Sequence, residues 1–370
     1  YNLALERPVL SPRDIIVVDE AHELEPYVIS ALRVSLEYTA VPGLINDPVV
    51  MRHADERLRG KATQSNHELF QMLSQDAESI GERRWVPEGE IQPAMAVVGH
   101  LQAIHRQLQK AYPPVKGDEE NEENARHQAT LEWTAQLVNE IITLAQPAPE
   151  NQVRYCESWT GEARPDDLTL QSQPLDVAQF VRDKLFNETK TVVCTSATLT
   201  VNRRFDYFRQ KIGAPDPSEN KTFERRIDSP FDFPSQALLY TPHGLKPAYG
   251  DGEADYVEKL TEKVARLLEA SRGRALVLCT STRRMRQLYD ALWHRLPYTC
   301  LRQGLATRAE LLEQLKNDPD GAVLFATRSF WEGIDVPGEA LSLVIIDKLP
   351  FAPYRDPVYQ QREARVRAAG

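Results

Sequence analysis

The sequence predicts an α/β fold of two parallel-sheet domains, with a helical insertion in the first. The apolar, β-branched run at residues 15–18 is typical of a central strand covered on both faces. From about residue 236 onward, strand-like runs alternate regularly with amphipathic segments, which indicates a parallel sheet. Between residues 29 and 160 helical spacing replaces this alternation. We therefore expect residues 1–28 and 161–235 to form the first domain, 29–160 the insertion and 236–370 the second domain.

The elements follow in order along the chain. In the first domain, residues 168–171 and 191–195 are predicted strands, the latter buried, and 176–186 a helix. In the insertion, helical spacing covers segments near 50–78, 91–111 and 122–145, for example through Leu131, Val138, Ile141 and Ile142. Pro113-Pro114 and the acidic run 118–123 interrupt it and predict an exposed loop. In the second domain, the predicted strands are 237–240, 275–279, 298–301, 322–326 and 341–346, and the predicted helices 256–270, 283–294 and 307–315.

Composition excludes several classes of protein. With 42% hydrophobic and 26% charged residues in 370, the chain is long enough for two or three globular domains. No apolar stretch approaches the length of a membrane span. The net charge of −10 argues against nonspecific coating of nucleic acid but is compatible with a local basic groove.

The cysteines give no sign of a metal centre. Cys156, Cys194, Cys279 and Cys300 are too far apart in sequence for a Cys-x-x-Cys clip, so no zinc or iron–sulfur site is visible. Cys194 and Cys279 lie in apolar, strand-like runs, where a free cysteine behaves as a small hydrophobic residue. We expect four structural, reduced thiols, which fits the cytoplasm.

Two acids follow the first predicted strand. Open α/β sheets bind ligands beyond the carboxyl ends of their strands, where Asp19 and Glu20 lie. One carboxylate can hold Mg²⁺, usually with water, and the second can orient or deprotonate the water that attacks a γ-phosphate. His22 can sense the phosphate and relay its state. The alternative is an ordinary surface turn, because motifs this short recur by chance.

Hydroxyl groups follow two further strands. The segment 195–200 can bridge a phosphate site to a neighbouring domain through Ser196 and Thr198, or it can be a simple helix cap or turn. At 280–283, Ser281, the amides of a helix N-terminus and Arg283 can contact a nucleic-acid phosphate. The alternative is again a helix cap.

Two other segments and several single residues are candidates for function. Ser-Pro-Phe at 229–231 marks the crossing between the α/β domains, or a plain proline-rich linker. In the segment 329–338, Gly333 allows a ligand close to the backbone, and Glu332 and Asp335 add carboxylates beside aromatic groups. The aromatic residues that can stack on bases, or pack in a core, are Phe330, Trp331, Tyr354 and Tyr359. Lys348 is either a phosphate contact or a strand-end charge.

In order and spacing, these segments resemble superfamily 2 helicases of the XPD/DinG type, and the bacterial DinG-like branch in particular. The matching segments are Asp-Glu-Ala-His at 19–22, Thr-Ser-Ala-Thr-Leu at 195–199, Ser-Pro-Phe at 229–231, Phe-Trp-Glu-Gly-Ile-Asp at 330–335 and Ile-Asp-Lys-Leu-Pro-Phe at 346–351. The resemblance implies two RecA-like parallel-sheet motor domains, both incomplete, and an Arch-like insertion under which single-stranded DNA threads. A DEAH-box RNA helicase would share only the first two segments.

The resemblance also implies roles for individual residues. Asp19 corresponds to the Mg²⁺ residue and Glu20 to the base for ATP hydrolysis. His22, Ser196 and Thr198 correspond to couplers between nucleotide and DNA. Ser281 and Arg283 correspond to DNA contacts, and Glu332, Gly333 and Asp335 to the interface between nucleotide and nucleic acid. The implied cofactors are ATP and Mg²⁺, and the implied partner is single-stranded or forked DNA. The implied activity is 5′→3′ unwinding in repair or replication, in the bacterial cytoplasm at the nucleoid.

The sequence departs from the family pattern in three ways. No Gly-x-x-x-x-Gly-Lys-Ser/Thr loop occurs; near Gly60-Lys61, Asp55 replaces the first glycine and Ala62 the hydroxyl. The iron–sulfur cysteines that many members carry upstream of the acidic motif have no counterpart, so this chain supplies no ligands for that cluster. The Gln-x-x-Gly-Arg-x-x-Arg segment, whose arginine stabilises transition-state charge, is also missing. We therefore expect a fragment of a longer polypeptide, inactive alone.

Two other functions compete with this interpretation. A non-hydrolysing scaffold would hold DNA or a protein partner in a helicase-like groove. A Mg²⁺-dependent phosphohydrolase or nuclease would use Asp19 and Glu20 but would leave the other four segments unexplained.

Overall fold

The computed structural model describes residues 13–75, 83–111, 122–158, 164–219, 222–245, 252–351 and 353–369. The strands are β1 (Ile15–Val18), β2 (Val34–Glu37), β3 (Arg83–Trp85), β4 (Gln152–Ser158), β5 (Leu168–Pro174), β6 (Thr191–Cys194), β7 (Ala275–Leu278), β8 (Thr299–Arg302), β9 (Ala322–Ala326) and β10 (Leu343–Ile346). The helices are α1 (Leu24–Ala31), α2 (Ala40–Ile45), α3 (Pro48–His53), α4 (Glu56–Gln75), α5 (Gln92–Ala111), α6 (Glu122–Ala145), α7 (Ala178–Val181), α8 (Asp206–Ile212), α9 (Phe233–Gln236), α10 (Glu253–Ala270), α11 (Thr282–Leu292), α12 (Arg308–Asn317) and α13 (Pro357–Ala369). Pro113-Pro114 and most of the acidic run 118–123 lie outside the described residues.

The chain divides into two compact units. Unit 1 comprises Tyr1–Asp228 together with Ala352–Gly370, and unit 2 comprises Ser229–Phe351. Each unit contains a parallel sheet, which confirms the predicted α/β class. The division falls at Ser229, the first residue of the Ser-Pro-Phe segment. No described helix is both long and apolar enough to cross a membrane.

The parallel sheet of unit 1 pairs β1 with β6, and Val18 lies opposite Cys194. Alternate residues pack against a small core that includes Val28 and Val181, but Ile15 is 64% exposed and Val17 65%. The prediction that these strands are buried on both faces is wrong. In the described part of the chain this sheet has two strands, and only one of its faces is covered.

Unit 1 also contains an antiparallel sheet, which the sequence does not predict. Its order is β2-β5-β4-β3, and β5 pairs along its whole length with β4, from Ser158 opposite Leu168 to Gln152 opposite Pro174. Residues 168–171 do form a strand, as predicted, but in this sheet rather than in the parallel one. The sheet therefore spans the predicted boundary at residue 160.

Three long helices supply most of the core that packs on this sheet. The buried positions of α5 recur at spacings of three and four, as the helical prediction required: Ala94, Val97, Val98, Leu101, Ile104 and Leu108. They pack with α4, α6 and the covered face of the antiparallel sheet in one cluster. This part of the chain therefore has its own hydrophobic core.

Arg154 of β4 joins this sheet to the helices. Its side chain is buried and donates to the carbonyl oxygens of Leu144 at 2.9 Å and Gly89 at 2.7 Å, and also to those of Gln146 and Pro87. Leu144 belongs to the last turn of α6, where the helix dipole is negative. Burial lowers the pKa of the guanidinium. One arginine therefore satisfies the carbonyls of a helix end and of the loop before α5.

Helix α13 packs on the antiparallel sheet, although the sequence predicts that residues 236–370 form one second domain. Val358 is buried with Val153, Tyr155 and Leu175. At the edge of the sheet, Trp85 Nε1 donates to Gln360 Oε1 at 2.8 Å. The segment that follows unit 2 is thus part of unit 1.

We predict that Val358→Asp detaches α13 from the sheet. The change buries a carboxylate among apolar side chains and should cost at least about 2 kcal/mol of docking free energy. Trypsin cleavage within α13 should then accelerate. Val366→Asp is the matched control, because Val366 lies on the same helix and is 71% exposed. Equal cleavage rates for the two variants would contradict this packing.

Unit 2 has the regular parallel sheet that the alternation predicted. Its order is β10-β7-β9-β8, with every neighbouring pair parallel. Helices α10 and α11 contribute to the core cluster on one side, and α12 to the cluster on the other. The predicted strand at 237–240 is wrong: these described residues form no strand, and Leu238 and Leu239 are about nine-tenths exposed. An apolar run indicates a strand only where a neighbouring strand accepts its hydrogen bonds.

All four cysteines are free, as predicted. Burial raises the pKa of Cys156 and of Cys279 to about 12, and that of Cys300 to about 11. Burial also raises the pKa of Cys194. Thiols of this kind stay protonated at neutral pH, which suits packing rather than reactivity.

Candidate functional site

The parallel pairing of β1 and β6 continues beyond the ends of both strands. The amide of Thr195 donates to the carbonyl of Val18 at 2.9 Å, and the amide of Ala21 donates to the carbonyl of Thr195 at 2.9 Å. The acids after β1 and the hydroxyls after β6 are therefore held side by side. They lie at the carboxyl edge of a parallel sheet, where α/β proteins bind ligands.

Asp19 is fixed by two hydrogen bonds to one of its oxygens. Thr195 Oγ1 donates to Asp19 Oδ1 at 2.8 Å, and the amide of Glu20 donates to the same oxygen at 3.0 Å. The Thr195 bond, followed by the Glu20 amide, lowers the pKa of the Asp19 carboxyl below its ordinary 3.8. Asp19 is therefore an oriented carboxylate that stays charged at neutral pH.

Glu20, Ser196 and His22 form a second chain of contacts. Ser196 Oγ donates to Glu20 Oε2 at 3.1 Å and lies 2.7 Å from His22 Nδ1. Because Ser196 has one hydroxyl hydrogen, this arrangement requires Nδ1 of His22 to carry the proton that points to Ser196. The amide of Thr198 donates to Ser196 Oγ at 3.3 Å. The structure therefore brings together all five residues predicted for this half of the site.

The backbone at Glu20 is unusual. Its φ of 47° and ψ of 46° place it in the left-handed region, which costs a non-glycine residue about 1 kcal/mol or more. The short helical turn Ala21–Glu23 begins directly afterwards, and the amide of Glu23 donates to the carbonyl of Glu20 at 2.9 Å. This turn points the chain into α1 and leaves the Glu20 side chain two-thirds exposed. Strained backbone of this kind concentrates at functional sites.

Thr195→Val is expected to raise the pKa of Asp19 towards 3.8, because the largest cause of its lowering is removed. A folded-state pKa below the unfolded value adds stability above pH 3.8 and loses it as the pH falls through the folded pKa. The variant should therefore lose less stability on acidification. The measurement is a ¹³C-carboxyl titration of Asp19. Thr191→Val, at the exposed far end of the same strand, is the control and should leave the titration unchanged. An unchanged Asp19 titration in Thr195→Val would contradict the assignment.

The donor set fits Mg²⁺. The ion takes oxygen ligands and is usually held by one or two carboxylates together with water and substrate phosphates. Asp19 offers an exposed, ionised carboxylate for this purpose. Bound Mg²⁺ with ATP would supply phosphate charge neutralisation and orientation at this edge.

In unit 2, the segment 329–338 turns at Gly333, which has a φ of 63°. Arg308 donates to the carbonyl oxygens of Glu332 and Gly333, and the side chains of Glu332 and Asp335 are exposed. Phe330 is buried in the core, so packing and not base stacking is its role. Tyr354 and Tyr359, which belong to unit 1, are also predicted to stack on bases, and their rings are exposed.

In the segment after β7, Ser281 caps a helix, whereas the side chain of Arg283 is exposed. Ser281 is the N-cap of α11, and its Oγ accepts a hydrogen bond from the amide of Arg284 at 3.2 Å. The helix-cap alternative is therefore confirmed for this hydroxyl. Arg283 is 70% exposed and lies 3.0 Å from Glu253 Oε2, a surface ion pair of small energy. Its guanidinium is accessible to a phosphate.

Sequence reasoning missed three positions. Thr195 has no sequence signal of its own within the segment 195–200, although the parallel register places it beside Asp19. Arg308 carries no motif signal. Asp347 Oδ1 accepts a hydrogen bond from the amide of Thr280 at 3.0 Å, and burial raises the pKa of this carboxyl. Asp347 lies in the motif at 346–351, but only the pairing of β10 with β7 brings it to Thr280.

Comparisons with known proteins find that this chain is similar to helicases. Residues 264–370 match the family model of the helicase C-terminal domain. The chain is 37% identical over 242 residues to the ATP-dependent DNA helicase YoaA of Haemophilus influenzae. This match covers 65% of this chain and 36% of that protein. It is 36% identical over 201 residues to the ATP-dependent helicase DinG of Mycobacterium tuberculosis, covering 54% and 29% respectively. The chain thus spans about a third of the length of these relatives.

A solved structure shows the same fold. Xpd4 of S. tokodaii matches with a TM-score of 0.56 over 99% of this chain and 66% of that chain. Its sequence identity is 15%, so this likeness shows the fold alone.

Proposed function

We propose, from the premise that this chain belongs to the XPD/DinG type of superfamily 2 helicases, that it forms part of an ATP-dependent DNA helicase. The observation that supports this most is the pair of contacts Asp19–Thr195 and Glu20–Ser196. They bring two segments that are 176 residues apart to one edge of a parallel sheet. The residues that meet there have the chemistry of phosphate-bond hydrolysis.

Each residue at this sheet edge has a separate proposed role. Asp19, oriented by Thr195 and ionised at neutral pH, would hold Mg²⁺. Glu20, with its exposed carboxylate, would orient the attacking water and accept its proton. Ser196 contacts both Glu20 and His22, so a change at the catalytic carboxylate can reach the helix that follows His22. Thr198 holds Ser196 through its amide.

The domain division remains part of the proposal. Residues 1–28 and 161–235 would form the first motor domain, 29–160 the Arch-like insertion and 236–370 the second motor domain. Strand β5 pairs with the sheet of the insertion, and α13 packs on that sheet, so both would serve the insertion as well.

The DNA partner is also proposed. The exposed Arg283 would contact the DNA backbone, and Glu332, Gly333 and Asp335 would lie between nucleotide and DNA in the second motor domain. We propose single-stranded or forked DNA as the substrate and 5′→3′ as the direction. The setting would be repair or replication in the bacterial cytoplasm, at the nucleoid.

The test is ATP hydrolysis by the full-length protein with and without single-stranded DNA. We expect Mg²⁺-dependent turnover that single-stranded DNA stimulates at least about tenfold, as expected of a motor whose catalytic geometry is completed by its track. DNA binding without ATP turnover would overturn the proposal in favour of a non-hydrolysing scaffold.

A further inference from the structure

One arginine holds the backbone of the loop that carries Glu332 and Asp335. Arg308 Nη2 donates to the carbonyl oxygen of Glu332 at 2.7 Å and to that of Gly333 at 2.9 Å. The guanidinium carbon lies 5.6 Å from the centre of the Phe330 ring, within cation–π distance. A single charged side chain thus fixes two consecutive peptide groups.

Gly333 allows this contact because it has no side chain. Its backbone φ of 63° lies in the left-handed region, which residues other than glycine rarely adopt. A Cβ at this position would lie 3.2 Å from Arg308 Nη2, which is tighter than ordinary contact. The turn therefore needs glycine both for its backbone angle and for the approach of the arginine.

Both sides of the contact are anchored in unit 2. Arg308 is the first residue of α12, whose start is fixed by a capping box: the side chain of Thr307 accepts from the amide of Glu310, and that of Glu310 accepts from the amide of Thr307 at 2.8 Å. On the other side, Phe330 is buried in the same core as Leu311 of α12. The arginine therefore connects two fixed elements across an exposed turn.

We propose that Arg308 is a positioning residue for the segment 332–335. It holds the Glu332 and Gly333 carbonyls inward, which sets the direction in which the carboxylates of Glu332 and Asp335 leave the turn. This rests on the proposed function, in which these carboxylates act between nucleotide and DNA. Arg308 itself needs no contact with either ligand.

The experiment uses the full-length protein and two readouts, hydrogen exchange of the amides in 332–335 and DNA-stimulated ATP turnover. Arg308→Ala should speed exchange in the turn and lower stimulated turnover about three- to tenfold, the loss expected when one typical solvent-exposed hydrogen bond is removed. Arg308→Lys, which keeps a charged nitrogen donor, should restore a large part of both. Arg266→Ala, at an exposed position on α10, is the control and should behave as wild type.

A second pair of variants keeps the test decisive if Arg308→Ala folds poorly. Gly333→Ala and Gly338→Ala both place alanine at positive φ, but the space around Gly338 is open. We expect the larger loss of stimulated turnover at Gly333, where the added Cβ displaces the arginine.

Wild-type exchange in the turn of Arg308→Ala would overturn the inference, and so would reduced turnover without faster exchange. Equal effects at Gly333 and Gly338 would also overturn it. If wild type itself shows no DNA-stimulated turnover, the proposed function fails, while the exchange readout still decides the role of Arg308.

Discussion

Glu20→Gln is expected to lower DNA-stimulated ATP turnover of the full-length protein at least about a hundredfold. General-base catalysis contributes about 10²–10⁴ in rate, and an amide cannot accept the proton of the attacking water. The substitution keeps the size of the side chain and an oxygen that can accept the hydrogen bond from Ser196. The loss should therefore fall on turnover and not on folding.

The measurement is steady-state phosphate release, with ATP affinity determined separately by equilibrium binding. We expect ATP binding to persist in the variant, because Asp19 and not Glu20 is assigned to the metal. Glu188→Gln is the control, at an exposed carboxylate that pairs with Lys184 four residues earlier. Turnover within about threefold of wild type would rule out Glu20 as the base.

The second large effect concerns stability and is expected at Arg154. Arg154→Met should destabilise this part of unit 1 by about 3 kcal/mol or more, because removing the guanidinium leaves several buried backbone carbonyls without a hydrogen-bond donor. Those carbonyls belong to the end of α6 and to the segment 87–89. Methionine fills similar volume, so the loss reports the hydrogen bonds more than a cavity.

Urea unfolding followed by tryptophan fluorescence measures this effect, since Trp85 lies on β3 of the antiparallel sheet and Trp133 on α6. Arg106→Met is the matched control on the exposed face of α5 and should shift the transition by less than about 0.5 kcal/mol. If the two variants unfold at the same urea concentration, the network of Arg154 does not stabilise the insertion.

The sequence indicates which residues lie at this sheet edge because the signals are local. A strand followed by acids and a strand followed by hydroxyls both place polar groups at a carboxyl edge, and a parallel sheet brings such edges together. The structure confirms this meeting for Asp19, Glu20, His22, Ser196 and Thr198. The specific role of Thr195 could not be predicted, because it depends on the register of β1 against β6.

The antiparallel sheet could not be predicted for a related reason. Strands β2 and β3 contain four and three residues, and β2 pairs with β5 more than a hundred residues later in the chain. Elements this short give weak periodicity, and nothing local indicates so distant a partner. The helices of the insertion are long and periodic, so the sequence indicates them correctly.

Burial was the least predictable property. The β-branched run of β1 indicates a strand, but it does not say which elements cover each face, and Ile15 and Val17 are exposed. Arg308 illustrates the same limit on the functional side. Its contact with Glu332 and Gly333 depends on how one turn folds back towards the start of a helix, and no sequence pattern encodes that.

The most direct test of the central claim is strand displacement by the full-length protein on two tailed duplexes, one with a 5′ single-stranded tail and one with a 3′ tail. We predict displacement of the 5′-tailed duplex with ATP and Mg²⁺, and none when Glu20→Gln replaces wild type or when ATP is replaced by a non-hydrolysable analogue. Displacement that continues without ATP hydrolysis, or that is unaffected by Glu20→Gln, would contradict it.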